Sequence, residues 1–219
     1  MGDVYDVFPL LAARNYSATG LFSITDSIGR FLSTSMLPEQ GVPSALDGRL
    51  SVVILAGFSR FIEWHNLMGW TIVSSATIAG CVMFWWLTVY RLFDAKIAWI
   101  SVLIFSFLPL YWREAIWLDL YNFALFFFFA SICVFVWLQK KSLTLASIFS
   151  GLLFGMSIAS KDVLLTFIPW IFIGSILMYS KELKKITIPL VLFFFCSGLV
   201  YLVPHLGDII TFGHPFNQN

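Results

Sequence analysis

The sequence predicts an all-α membrane protein of about six transmembrane helices, with juxtamembrane helices in a large first extracytoplasmic loop. Three observations carry that expectation. The chain is 59% hydrophobic and 11% charged, with a mean hydropathy of +0.88, against roughly 45–50% apolar and about 25% charged in soluble domains. Aromatic residues reach 18%, with 24 Phe and 9 Trp, more than one small core buries but acceptable on surfaces that face lipid. The few charges fall between long uncharged runs, and their sign alternates from one loop to the next.

The uncharged runs are Leu67 to Tyr90, Ile97 to Trp112, Leu120 to Leu138, Ser142 to Ser160, Val163 to Ser180 and Ile186 to Pro204. At about 1.5 Å per residue, roughly 20 helical residues cross a hydrocarbon core of about 30 Å. Ile97 to Trp112 is short for this. Lys96 and Arg113 at its ends gain length by snorkelling.

Arg91 and Lys96, then Lys140 and Lys141, then Lys181, Lys184 and Lys185 fall in loops on one side. The opposite loops carry Arg113 and Lys161 among Glu114, Asp119, Asp162 and Asp208. The positive-inside rule assigns the lysine-rich side to the cytoplasm and the acidic side to the exterior. Residues 1–66 then form an extracytoplasmic loop, 67–206 a transmembrane bundle, and 207–219 the start of another outer loop. Within the first loop, Ser51 to Ser59 is apolar but brief, bounded by Arg49, Arg60 and Glu63, and reads as an interfacial helix along the surface. An outside first residue implies an earlier span ahead of Met1, and 213–219 stop in loop-like sequence, so a longer parent is expected at both ends.

The formal charge of +1 gives no basic field for nucleic acid. Cys81, Cys133 and Cys196 lie inside apolar runs and read as small buried hydrophobes rather than ligands or bridge partners. No Walker loop, GxGxxG, GxSxG, CxxC or HExxH spacing occurs. His65, His205 and His214 therefore read as boundary residues.

Ionisable groups near membrane depth are costly, about 2.5 to 3.5 kcal/mol at a helix centre on insertion scales, and so are the first places to look for function. Asp3 and Asp6 stand three apart in Asp3-Val4-Tyr5-Asp6, followed by Ala13-Arg14-Asn15-Tyr16 and Gly20-Leu21-Phe22-Ser23. On one side of a helical turn, two carboxylates repel until one serves as a base, or they share a divalent cation; the plainer reading is an acidic first turn of an exposed helix. Arg113, Glu114 and Asp119 flank a span end beside Trp112 and Trp117, where charges also serve as anchors. Ser160-Lys161-Asp162 separates two runs with no room for a loop. Lys161 there suits a phosphate as a point charge, or simply neutralises Asp162.

In this order the clusters resemble the GT-C superfamily of membrane glycosyltransferases, which includes protein O-mannosyltransferases and aminoarabinose lipid A transferases. The residues concerned are Asp3 or Asp6, Ala13-Arg14-Asn15 and Gly20; the basic turn Arg91 to Lys96; Pro109 ahead of Asp119; Gly151 and Gly155 leading to Ser160-Lys161 and Pro169; and Phe212-Gly213-His214-Pro215-Phe216. The acidic pair is separated here, whereas in the family it is often contiguous.

The resemblance implies inverting transfer of a sugar from a polyprenyl-phosphate donor to a lipid, glycan or protein acceptor, at the extracytoplasmic face of a multi-pass protein of a bacterial inner membrane. Asp3 or Asp6 would be the base and Asp119 a second acid that orients sugar or acceptor or joins a metal site. Arg113 and Lys161 would hold the donor phosphate, and Tyr5, Arg14, Tyr16 and Glu114 would line the substrate site. No cofactor is firmly implied, a divalent cation at the carboxylates being the one candidate, and membrane lipid is the other expected partner. The alternatives are a multi-span transporter with an outer-facing charged site, and a noncatalytic scaffold whose charges are all helix-end anchors.

Overall fold

The structure, a computed structural model of the chain, describes residues 13, 49–63, 65–107, 120–161, 167–168, 171 and 183–212. These residues form an all-α membrane protein. Its helices are α1 (Arg49–Phe58), α2 (Leu67–Leu92), α3 (Ala95–Ser106), α4 (Leu120–Leu138), α5 (Leu143–Ser160) and α6 (Leu183–Phe212). Four carry stretches long and apolar enough to cross a bilayer: Leu67–Leu92, Tyr121–Leu138, Leu143–Ser160 and Lys185–Val203. Each coincides with a run expected to span.

Helix starts follow local capping chemistry. The Asn66 side chain accepts the Gly69 amide at 3.0 Å, Asp94 accepts that of Ile97 at 2.8 Å, and Ser142 that of Leu145 at 3.3 Å. Each satisfies a donor that the first turn leaves without a partner within the helix. Asp94 thus shapes the tight basic turn between α2 and α3.

Side-chain pairs set the helix directions. Trp85 stacks on Phe105 with centroids 6.0 Å apart and Trp86 meets Trp99 at 5.7 Å, so α3 runs back along α2. Asn122 Nδ2 donates to Ser74 Oγ at 2.6 Å and Trp137 Nε1 to the Leu87 carbonyl at 3.3 Å, which makes α4 parallel to α2. Ser157 Oγ donates to the Ala124 carbonyl at 2.7 Å and Ser131 Oγ to that of Ser150 at 2.8 Å, so α5 returns antiparallel to α4. Gly151 faces Phe193 and Gly155 faces Ser197, so α6 runs parallel to α5. Arg91, Lys96, Lys140, Lys141 and Lys185 consequently share one end of the bundle. Asn66, Phe107, Leu120 and Lys161 share the other.

The α5–α6 seam needs its glycines. A Cβ on Gly151 would stand 2.5 Å from the Phe193 carbonyl oxygen, and one on Gly155 2.6 Å from that of Ser197. Only a residue without a side chain lets two backbones approach so closely, which is the small-xxx-small geometry of membrane helix pairs. Ser197 Oγ lies 2.9 Å from the Gly151 carbonyl and 2.7 Å from that of Phe193, so its proton is shared between the two helices.

Three elements differ from the sequence expectation. The short apolar helix expected at Ser51 to Ser59 exists as α1, with its apolar face packed on the bundle. Val52, Leu55 and Ala56 are buried in a cluster with Trp70 and Val73 of α2 and Phe123 of α4, and Ser51 is buried against the end of α5. Its apolar face meets helices, a partner that hydropathy cannot distinguish from lipid. The run Ile97 to Trp112 is helical as Ala95–Ser106, 12 residues and too short alone to cross, its remainder lying outside the described residues. The last helix continues through Pro204 to Phe212, where a span end followed by a loop was expected. A proline removes one helical hydrogen bond, and such losses are tolerated in membrane helices. The run Val163 to Ser180 is described at Phe167, Ile168 and Ile171 alone.

Candidate functional site

The end of the bundle opposite the lysine turns is built around α1. Its Ser51 Oγ donates to the carbonyl of Ser160, the last residue of α5, at 3.4 Å across 109 positions of sequence. Ala13 is fully buried in the same apolar cluster.

Lys161 follows as the C-cap of α5. Its backbone is extended (φ −161°, ψ 114°), and its amide donates to the carbonyls of Ser157 and Ile158. The helix therefore stops at Ser160, and the lysine side chain leaves the bundle half-buried, with Nζ 5.0 Å from the centre of the Tyr121 ring. A cation over an aromatic face is held electrostatically, by about 0.5–1 kcal/mol at exposed sites and more where water is excluded. That contact restrains the ammonium to one side of α4. Beside it the Ser160 hydroxyl is fully buried and has no hydrogen-bond partner among the described residues. The residue after Tyr121, Asn122, is fully buried and donates to Ser74 Oγ. A lysine ammonium beside a tyrosine ring is chemistry that suits an anionic group.

Of the candidate residues, Lys161 is the one on the described part of the chain. Asp3, Tyr5, Asp6, Arg14, Tyr16, Arg113, Glu114 and Asp119 lie outside the described residues. In sequence, Tyr121, which lies under Lys161, is two residues past Asp119, and the buried Ala13 adjoins Arg14. Tyr121 as the partner of Lys161, and Ser51 as the partner of Ser160, were not apparent from sequence. Neither pairing has a local spacing that signals it, since both arise from helices meeting at one end.

His65 is paired with Glu63, Nε2 to Oε2 at 2.9 Å, both side chains largely exposed, in keeping with a boundary residue. Among the described residues no three His, Cys, Asp or Glu side chains come together as a metal site. The carboxylates expected to take a divalent cation are outside that set. Cys81 and Cys133 are buried within the bundle.

Compared with models of protein families, with curated proteins and with solved structures, the chain matches none.

Proposed function

We propose that the chain is part of an integral-membrane glycosyltransferase that moves a sugar from a polyprenyl-phosphate donor to an acceptor hydroxyl at the extracytoplasmic face of a bacterial inner membrane. The observation that supports this reading best is Lys161, restrained over Tyr121 at the end of the bundle where Ala13 and α1 are packed, opposite the lysine-rich turns. A donor of this class keeps its prenyl chain in lipid while its phosphate and sugar reach water. It needs a fixed cation at that boundary and an aromatic surface beside it.

In the reaction, Asp3 or Asp6 takes the proton of the acceptor hydroxyl as its oxygen attacks the anomeric carbon. The bond from that carbon to the phosphate oxygen breaks, and the polyprenyl phosphate departs with the electron pair. Lys161 and Arg113 stabilise the charge on the departing phosphate, and Asp119 supports the oxocarbenium-like sugar. Tyr5, Arg14, Tyr16 and Glu114 would shape the substrate site, and a divalent cation, if used, would sit on the carboxylates.

Transfer from radiolabelled polyprenyl-phosphate sugar by the full-length protein tests the proposal. Changing the base to Asn is expected to lower turnover by about 10²- to 10⁴-fold. Lys161→Met should weaken use of the donor, with Lys161→Arg retaining part of it. Equal transfer by Asp3→Asn, Asp6→Asn, Asp119→Asn and wild type would overturn the assignment. Solute uptake into proteoliposomes without transfer would establish the transporter instead.

A further inference from the structure

A cavity of about 210 Å³ lies between α4, α5 and α6 in the half of the bundle nearest the lysine turns, remote from the Lys161 end. Ile132 and Phe135 of α4, Leu143 and Ser147 of α5, and Ile186 and Leu190 of α6 line it together with Ile171, and it is partly open. The serine hydroxyls add little polarity: Ser131 and Ser150, which also border the space, donate to backbone carbonyls. The wall offered to an occupant is hydrocarbon. Apolar cavities of about 150 Å³ already take up a benzene-sized molecule, so this one has room for a stretch of alkyl chain.

Depth and charge identify the chain's owner. The lining of α5 runs from Leu143 to Phe154, about 16 Å of helix at about 1.5 Å per residue, or one leaflet of a hydrocarbon core about 30 Å thick. Leu143 follows the exposed Lys140 and Lys141 by two residues, and Ile186 directly follows the exposed Lys185. The parallel register of α5 and α6, with Gly151 opposite Phe193, carries Lys185 to the level of Leu143. An apolar cavity whose walls extend over about one leaflet therefore lies next to lysines from two separate helix ends.

We propose that this cavity and the lysines at the same end of the bundle form a binding site for an anionic phospholipid, one acyl chain lying between α4, α5 and α6 and the phosphate beside Lys140, Lys141 and Lys185. The site is separate from the proposed transfer chemistry and stands whether or not that reading holds. Lysines at a membrane surface attract anionic headgroups, whereas a zwitterionic headgroup on the same chains gains far less.

The test is native mass spectrometry of the full chain, purified in detergent and exposed to phosphatidylglycerol or phosphatidylcholine of identical chains. Wild type should retain phosphatidylglycerol about tenfold better or more, as three surface lysines would give. Lys140→Gln/Lys141→Gln/Lys185→Gln should abolish the preference, and Leu190→Trp, which fills the cavity, should lower retention of both lipids. No preference in wild type, or a preference that survives loss of the lysines, would overturn the site. So would undiminished phosphatidylglycerol retention by Leu190→Trp, which would mean that the headgroup adheres without the cavity. A phosphatidylglycerol carrying a diazirine on its acyl chain supplies a readout on wild type alone. Labelling within 128–135, 143–154 or 186–193 is expected, and labelling confined to other segments refutes the proposal.

Discussion

Helices α5 and α6 pack against each other along their length, yet they are built on opposite rules. The spanning window of α6 is the most apolar of the four, at mean hydropathy 2.4, and only 22% of it is buried; that of α5 has 1.7 and is 56% buried. In water this order would be perverse. In lipid it follows directly, because hydrocarbon surrounds the bundle and Val191, Phe195 and Leu199 lose nothing by facing it. What association needs is close approach and internal hydrogen bonding, and α5 supplies both. Its buried positions include Ala146, Ser147, Ser150, Gly151, Gly155, Ser157 and Ser160. The helix that organises the bundle is the one that hydropathy ranks lower.

The severest test of this contrast is Gly155→Leu. Even the first side-chain carbon would meet Ser197 Oand Cα at 2.6 and 2.9 Å and Val200 at 2.8 Å. Two of those atoms are backbone and cannot rotate away, so α6 must separate from α5 and abandon the Ser197 bond to Gly151. Overpacking a core costs about 1–3 kcal/mol, and displacement of a whole helix belongs at or above the top of that range. Thermal unfolding in detergent should show a large fall in midpoint, with new protease cleavage between α5 and α6. An unchanged midpoint would mean that the glycines do not set the helix spacing.

An intermediate effect is expected from Ser197→Ala, which keeps the shape of the seam and removes the shared proton. Interhelical hydrogen bonds in membrane proteins average about 0.6 kcal/mol. The midpoint should drop slightly and cooperativity should persist. A loss as large as that of Gly155→Leu would put hydrogen bonding, rather than backbone proximity, in charge of the interface.

The same contrast explains what could be read without the structure. The runs at Leu67 to Tyr90, Leu120 to Leu138, Ser142 to Ser160 and Ile186 to Pro204 are bounded by charges that a hydrocarbon core excludes, and helices occur over all four. Which face of each helix is buried was not legible, since Phe154 at 1% exposure and Phe195 at 61% are the same residue type in equally apolar surroundings. The burial of α1 was hidden for the same reason. Gly151 and Gly155 were noticed as part of a family-like pattern, although their spacing of four is itself a sign of close helix approach. At the site, Lys161 stood out as a charge where two apolar runs meet. Its seat on Tyr121, 40 positions earlier, depends on the antiparallel course of α4 and α5, which no local spacing encodes.

The smallest effect is expected where soluble-protein intuition would forecast a large one. Phe195→Ala deletes an aromatic side chain from the most apolar span, and a buried Phe replaced by Ala typically costs about 3–5 kcal/mol. Phe195, however, is 61% exposed on the outer side of α6, and in a bilayer that exposure is to acyl chains. Removing the ring exchanges one hydrocarbon contact for another, leaves no cavity inside the bundle, and should change stability by less than about 0.5 kcal/mol, as at other surface positions. Phe154→Ala, one face round on α5, deletes the same ring from among Phe128 and Phe193 and should lose stability like a core substitution. If unfolding in lipid nanodiscs shows the two variants equally impaired, then α6 carries a further partner on the face assigned here to lipid.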